Sequence, residues 1–549
     1  MRETVYTGCR VFTGNAAAPW GQSISVLGGR IRAVGSAGDA GAPRSPDADV
    51  VDLGGRLVVP GFVDAHNHYL ATAEALTSVD LRYPGVGSID DLVDAIAKRA
   101  GETPADRWIR GFGMDYAKYP DARPTRWDLD RATADHPVIA YHVSGHYALV
   151  NSAALAQRGI DENAANPPGG EFVRDGGGQL TGLCLDAATS LILPVAVDVG
   201  SHGPNFHTEA DLEDLVGQLD QGGRAYQAAG LTTVCDPQVT SRELRAYREA
   251  LAAGVLHVRV TCMPLSHGIP DFRAVGLAGP FGSDALRIGG MKFYADGSLI
   301  GGTAAFNEPY GEHAEFRGSL YWQPGELSSL VREGHEAGWQ IGIHAQGDRA
   351  IQMSLDAIGA ALSAHPRDDA RPRIEHAGYP TPDQIRQMRD LGVITVNQPS
   401  YLYDSGDEFI ARLGDRAHRL QPLRAELDDG VRVVLSSDAF VASYRPLDTI
   451  VAAVERRTMA GTPIGGDQAL TAAEEILAHT IEAARATGME DLVGSIEPGK
   501  LADFVVLDGD PFTADRGGLR AVGVHRTIQG GRTVWPAEAA GAPPAARTA

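Results

Sequence analysis

Phe62-Val-Asp-Ala-His66-Asn-His68 is the stretch on which the fold of this chain turns. It reads as a short buried strand running into two histidines. On an extended strand side chains alternate with period two, so His66 and His68 face the same side and can hold one ion together. Seven similar apolar runs follow: Leu231-Thr-Thr-Val-Cys-Asp236, His257-Val-Arg-Val-Thr-Cys262, Ile288-Gly-Gly-Met-Lys-Phe-Tyr-Ala-Asp296, Gln340-Ile-Gly-Ile-His344, Arg373-Ile-Glu-His376, Val393-Ile-Thr-Val-Asn397 and Val431-Arg-Val-Val-Leu-Ser-Ser-Asp438. Amphipathic helical stretches separate them, the alternation of a parallel α/β sheet or barrel. Eight such strands predict a (βα)8 TIM-like barrel.

Six of the eight runs end in histidine or aspartate, and four of these carry the candidate ligands: His66 with His68, His344, His376 and Asp438. In a (βα)8 barrel all C-terminal strand ends face one rim, where the active sites of that fold lie, so ligands far apart in sequence converge. Neutral imidazoles and a carboxylate suit zinc and its first-row neighbours. A lone histidine among the 17 of this chain is more often a surface or core residue. That bland reading is kept for His202, His207, His257, His313, His335, His365, His418, His479 and His525. His344 and His376 stand apart because they end successive strands downstream of a His-x-His.

Outward from the middle, residues 1–61 alternate short β-rich runs with Gly-Gly turns, and the texture returns over 490–535. Such runs read as hairpins in a small sheet. The two ends are expected to form one discontinuous β-sandwich domain around a barrel spanning 62–489. Between about 69 and 230 the strand rhythm breaks into Gly- and Pro-rich segments, an insertion expected to shape or lid the pocket. The Ala/Pro-rich stretch 536–549 is expected to be disordered.

With 549 residues the chain exceeds what one core organises. No run of 18 apolar residues predicts a membrane span. The N-terminal residues carry no signal-like pattern, so a cytoplasmic location is expected. Four cysteines without a CxxC pair argue against a disulfide framework and a thiolate zinc site. A formal charge of −22 with dispersed acidic residues disfavours nucleic acid as a partner. The expected partner is a small-molecule substrate.

Pro60-Gly-Phe-Val-Asp-Ala-His66-Asn-His68, with His344, His376 and Ser437-Asp438, resembles the amidohydrolase superfamily. Lys292-Phe-Tyr-Ala-Asp-Gly-Ser-Leu299, Ile343-His-Ala-Gln-Gly-Asp-Arg-Ala350, Arg373-Ile-Glu-His-Ala377, Asn397-Gln-Pro399 and Gly494-Ser-Ile-Glu-Pro-Gly-Lys-Leu-Ala-Asp503 are similar to its amidohydrolase-3 branch, the group with N-substituted formamide deformylase. The resemblance runs over about residues 3 to 535.

It implies one or two divalent ions, zinc first, with manganese or iron as alternatives. His66, His68 and Asp438 would hold the more buried ion, and His344 and His376 a second. Lys292 would bridge them as a carbamate, an oxygen donor like a carboxylate; an ordinary ammonium beside a mononuclear site is the alternative. The implied reaction is hydrolysis of a C–N bond in an amide, N-substituted formamide or cyclic amide. An activated water attacks the carbonyl carbon while Asp438 takes its proton and delivers it to the leaving nitrogen.

His146 would hydrogen-bond the substrate carbonyl or the oxyanion, with a loop-holding role equally open, and Asp115 and Tyr116 would line the same pocket. Asp348 beside Arg349 reads as a helix cap, and Asp296-Gly297 as turn chemistry. Ser437 and His142 stand where many relatives have glycine and arginine. A mononuclear deaminase shares the His/Asp set, but Glu375 precedes the fourth histidine and no HxxE segment follows His344. A non-catalytic binding protein on the same scaffold is the other alternative. Barrels of this kind often self-associate, so a homo-oligomer, first a dimer, is expected.

Overall fold

All eight apolar runs become strands: β1 (Phe62–Asp64), β2 (Leu231–Val239), β3 (Arg259–Pro264), β4 (Gly290–Tyr294), β5 (Gln340–Ala345), β6 (Arg373–His376), β7 (Ile394–Asn397) and β8 (Arg432–Leu435). The computed structural model describes residues 2–36, 45, 47–116, 119–120, 123–142, 147–167, 170–193, 195–311, 315–514 and 516–536. The expected disordered tail beyond 536 lies outside them.

The fold is mixed α/β. β1, β2 and β3 pair in parallel within one five-stranded sheet, extended by Leu286–Ile288 and Phe281–Gly282. β4 to β8 form a second five-stranded sheet, parallel and in chain order. Parallel neighbours need a crossover. Here helices supply it, among them α1 (Asp348–Ala364) between β5 and β6, and α2 (Ser400–Leu413) and α3 (Leu423–Asp428) between β7 and β8. β4, β6 and β7 are buried along their whole length, as parallel strands covered on both faces must be.

Backbone contacts join the two sheets at both edges. Leu265, just past β3, bridges Lys292 of β4 in parallel. Beyond β8 and β1, the Asp438 N–H donates to His66 O at 2.8 Å and the His68 N–H to Ala439 O at 2.7 Å.

The chain ends supply two further sheets. Arg30–Gly35, Ser23–Leu27, Glu3–Thr7 and Asp49–Asp52 form one; Arg532–Trp535, Val524–Gln529, Phe504–Leu507, Leu57–Pro60, Arg10–Phe12 and Trp20–Gly21 the other, each in that spatial order. Gly28 and Gly29, both at positive φ (61° and 78°), turn Ser23–Leu27 back onto Arg30–Gly35, a conformation that side chains resist and glycine does not. Val505 of Phe504–Leu507 pairs with Val59 of Leu57–Pro60, so a C-terminal strand completes an N-terminal sheet. The two sheets share one apolar core of Tyr6, Val11, Ile24, Val58, Phe504, Val506 and Ile528.

Residues 70–198 with 205–222 make a separate compact unit, and the rest of the chain is the other. Its six-stranded sheet runs Gly170–Arg174, Leu180–Asp186, Tyr147–Val150, Val138–His142, Ile109–Met114, Val79–Asp80. Asn151, wholly buried, accepts from the N–H groups of Val138 (2.9 Å) and Ala154 (3.0 Å) and donates to His136 O (2.9 Å). It thereby ties a strand end to the following helix. Among the described residues no helix is long and apolar enough to cross a membrane, and the four cysteines are buried and free.

Glu426 of α3 is fully buried against β7, where its Oε2 accepts from the Thr395 hydroxyl (2.7 Å) and the Asn397 amide (3.2 Å). Burial pushes its carboxyl up to about 7 from an ordinary 4.5. A raised folded pKa means the folded state binds the proton more tightly, so this stability is complete below the unfolded value and is lost as pH rises through the folded one. Glu426→Gln, which copies the acid form, should melt with the wild type near pH ~5 and a few degrees above it near pH ~8.5. Thermal melts across that range check this; a pH-independent offset would contradict it.

Candidate metal centre

β1 stops at Asp64, so His66 and His68 lie just past the strand and not on it. The segment leaves its ladder because the Asn67 N–H donates to Cys235 O of β2 (2.8 Å) while His68 bonds across to Ala439. The two rings stand 89° apart, yet both present Nε2 to one atom. Asp438 Oδ1 lies 3.3 Å from His66 Nε2 and 2.9 Å from His68 Nε2, and all three residues are buried.

Among the described residues Oδ1 has no hydrogen-bond partner beyond these two ion-pair contacts. A buried carboxylate oxygen left unsatisfied is costly. Two imidazole nitrogens and a carboxylate oxygen, all within 4.8 Å of one another, form the donor set of a divalent transition ion. Burial alone would raise Asp438, but His66 and His68 overcome it and hold the carboxyl well below its ordinary range. Burial opposes charge on His68, yet Asp236 and Asp438 outweigh it and lift the imidazole to about 9.

The ligand rings are held from behind. His66 Nδ1 donates to Glu375 Oε2 at 2.6 Å, and Arg373 grips the same carboxylate from the other side at 2.7 and 2.9 Å while also donating to Ala65 O at 2.7 Å. A carboxylate on the far nitrogen fixes the tautomer and leaves Nε2 facing Asp438 Oδ1. Glu375 is fully buried, and although burial opposes its charge, Arg373 and His66 keep it far below the usual carboxylate range.

His376 Nδ1 donates to Gln398 Oε1 at 2.6 Å, and Gln398 is fixed by Val396 O (3.0 Å) and the Ser436 hydroxyl (2.8 Å). His344 Nε2 donates to Gly297 O at 2.9 Å. The His376 ring centroid lies 4.5 Å from that of His344 and 4.9 Å from that of His66. Burial brings His376 down to about 3 and His344 well below its ordinary value, so both stay neutral at pH ~7 with a lone pair to offer. His376, Ala377 and Asp438 adopt left-handed backbone at φ 74°, 40° and 52°, strain that folded chains concentrate at functional sites.

Lys292 is fully buried on β4, with Tyr294 of the same strand in register with His344. Its Nζ has no hydrogen-bond partner among the described residues and lies 4.8 Å from the Tyr294 ring centroid. Burial lowers its pKa to about 8.

Of the six residues read as metal ligands, His66, His68 and Asp438 bring ligand atoms within 4.8 Å of one another, the His376 ring lies beside those of His66 and His344, and Lys292 sits within β4. Asp115 and Tyr116 belong to the other compact unit. There the Arg123 guanidinium lies over the Tyr116 ring at 5.0 Å, and Asp115 Oδ1 is 4.0 Å from His142 Nε2. His146 lies outside the described residues.

Asp348 does not cap α1: Gly347 occupies the cap, and the Asp348 carboxylate accepts from the backbone and side-chain nitrogens of Asn307 at 2.8 and 2.9 Å. Asp296 anchors a loop through the N–H groups of Ala305, Gln346 and Gly347 (2.7, 2.9 and 3.0 Å), and burial raises it to about 7. Ser437 donates to Asp64 Oδ2 at 2.5 Å and accepts from Asn67 at 3.1 Å, knitting the loop after β8 to that after β1. The sequence assigns no role in the site to Arg373, Gln398 or Tyr401, and weighs Glu375 only against a deaminase. The i, i+2 charges of Arg373 and Glu375 within a buried strand were a usable signal, since charges there must pair.

Residues 49–535 match the sequence profile of the amidohydrolase family, and the chain belongs to that family. It is a hydrolase acting on carbon–nitrogen bonds. It is 34% identical over 543 residues to the N-substituted formamide deformylase of Arthrobacter pascens, covering 97% of this chain and 98% of that one. It is 30% identical over 499 residues to a putative amidohydrolase of Bacillus subtilis (strain 168), covering 89% and 91%. A solved structure of an uncharacterised metal-dependent hydrolase from Pyrococcus horikoshii OT3 aligns with a TM-score of 0.78 at 25% identity, over 94% of this chain and 99% of that one.

Proposed function

We propose that this chain hydrolyses N-substituted formamides or closely related small amides with one or two divalent ions, zinc first. The observation that carries the reading is the convergence of His66 Nε2, His68 Nε2 and Asp438 Oδ1. Full-length similarity to a formamide deformylase supports the substrate class. In this reading β1 to β8 of the two sheets close as one eight-stranded (βα)8 barrel at the edges where the sheets touch. Residues 1–61 and 490–535 form a composite β-sandwich domain on it.

An ion bound there would lower the pKa of a water from ~15.7 towards ~7 and polarise the carbonyl oxygen. Everything else falls to side chains. Asp438 takes the proton of the attacking water and returns it to the nitrogen as the C–N bond breaks. Glu375 and Gln398 keep His66 and His376 in the tautomer that presents Nε2. Lys292 as a carbamate would add an oxygen donor beside His344 and His376, and its depressed pKa favours the free amine that carbamate formation needs.

The test is a panel of formanilide, N-butylformamide and heterocyclic amines, with metal content measured on the same sample. The expected result is bound zinc, manganese or iron, and equal amounts of formate and free amine from the formamides. Ammonia from the heterocycles without formate from the formamides would replace this reading with a deaminase.

A further inference from the structure

Tyr401 is the second residue of α2, just past the turn that follows β7. Its ring is buried in an apolar cluster with Leu299, Tyr379, Leu402 and Phe409. It also lies nearly parallel to the His376 ring, at 6.1 Å between centroids and 19° between planes. The hydroxyl reaches out of this cluster and donates to Asp438 Oδ2. The other oxygen, Oδ1, faces both ligand imidazoles in ion-pair contacts and has no other partner among the described residues.

We propose that Tyr401 is a positioning residue that separates the two tasks of Asp438, holding Oδ2 so that Oδ1 is kept for the ion and Oδ2 for the proton. A carboxylate is symmetric, and nothing in the group itself decides which oxygen does which. Rotation about its Cβ–Cγ bond exchanges the oxygens, and an unrestrained carboxylate can also bring both to one ion. A single charge-assisted O–H···O bond on one side breaks that symmetry. The ring is clamped between apolar neighbours and His376, so the donor is fixed in place before substrate arrives. The reaction balances without help from the phenol: water's oxygen bonds to carbon, the C–N bond breaks, and the proton leaving water ends on nitrogen. Tyr401 keeps its own proton throughout.

The inference rests on the metal-centre reading above, and the experiment separates the two. Full-length wild type and Tyr401→Phe are loaded with cobalt(II) to equal content and their visible absorption compared. The expected result is a shifted or weakened band in Tyr401→Phe, because the released Oδ2 joins Oδ1 on the ion. With formanilide, kcat should fall about 10- to 100-fold, the usual scale for removing a group that orients a ligand, with KM within about twofold. Adding Tyr401→Phe to Asp438→Asn should lower kcat no further, since Tyr401 acts only through that carboxylate. Superimposable cobalt bands overturn the proposal, as does a kcat within about twofold of the wild type. A wild type that binds no cobalt defeats the metal-centre reading instead. Formanilide that is not turned over defeats the substrate reading, while the cobalt comparison still decides this one. Tyr401→Leu, which also lacks the hydroxyl, carries the same comparison should the phenylalanine variant not fold.

Discussion

Asp438→Asn should lower kcat by about 10²–10⁴, the range typical of losing a general base, while the protein keeps at least part of its metal. The side chain has two jobs that asparagine divides. Its Oδ1 sits 2.9 and 3.3 Å from the two Nε2 atoms, and an amide oxygen can still occupy that position. Its negative charge, held well below the ordinary carboxylate range by His66 and His68 against the effect of burial, has no counterpart in an amide. The shape is conserved and the left-handed φ of 52° is one that asparagine tolerates better than most residues. A fall in kcat is then a loss of basicity and not of fold. Formate release and metal content are to be measured on the same sample. Near-normal kcat with metal bound would mean that another group takes the proton.

The strands were legible because most are short β-rich apolar runs with their own punctuation, such as Val431–Leu435. The ligands were legible because they end those runs. What stood behind them was not. Glu375 looks, in sequence, like a charged residue beside a histidine. Its partner His66 lies 309 residues away, and no local pattern shows that its carboxylate is shared between that imidazole and Arg373. Tyr401 was hidden for a related reason: a tyrosine in the first turn of an amphipathic helix reads as core, and its ring is core. Only the hydroxyl, reaching Asp438 across 37 positions, has another role. Asp348 misled in the opposite direction, because a carboxylate at a helix start is usually a cap, and here the loop carrying Asn307 captures it first. The six-stranded sheet of residues 70–222 was unreadable because its strands are broken by glycine-rich turns and its pairings mix parallel with antiparallel. Such a sheet has no repeating strand–helix rhythm to follow.

Replacing His66 and His68 together with alanine should remove metal and activity and leave a folded protein. Two of the three converging donors go, and Asp438 alone offers a single oxygen, too few for a site that otherwise presents three protein ligands. The fold should survive because of what happens to Glu375. Removing the His66 ring costs Glu375 one hydrogen bond, about 1.5–3 kcal/mol for a bond to a charged group. The Glu375 carboxylate keeps both bonds from Arg373, at 2.7 and 2.9 Å, and Asp438, deprived of both imidazoles, keeps the Tyr401 hydroxyl and can take up a proton in place of their charge. That loss is tolerable against the ~5–15 kcal/mol of a typical folded domain. The contrast is Glu375→Ala, which would strand the fully buried Arg373 guanidinium at a cost of about 3–5 kcal/mol and so confuse lost metal with lost structure. The alanine pair should therefore show a lowered but cooperative melt, metal near zero by mass spectrometry, and no formate release. Full metal content in the folded double variant would place the ion elsewhere and remove the basis for Asp438 as its neighbour.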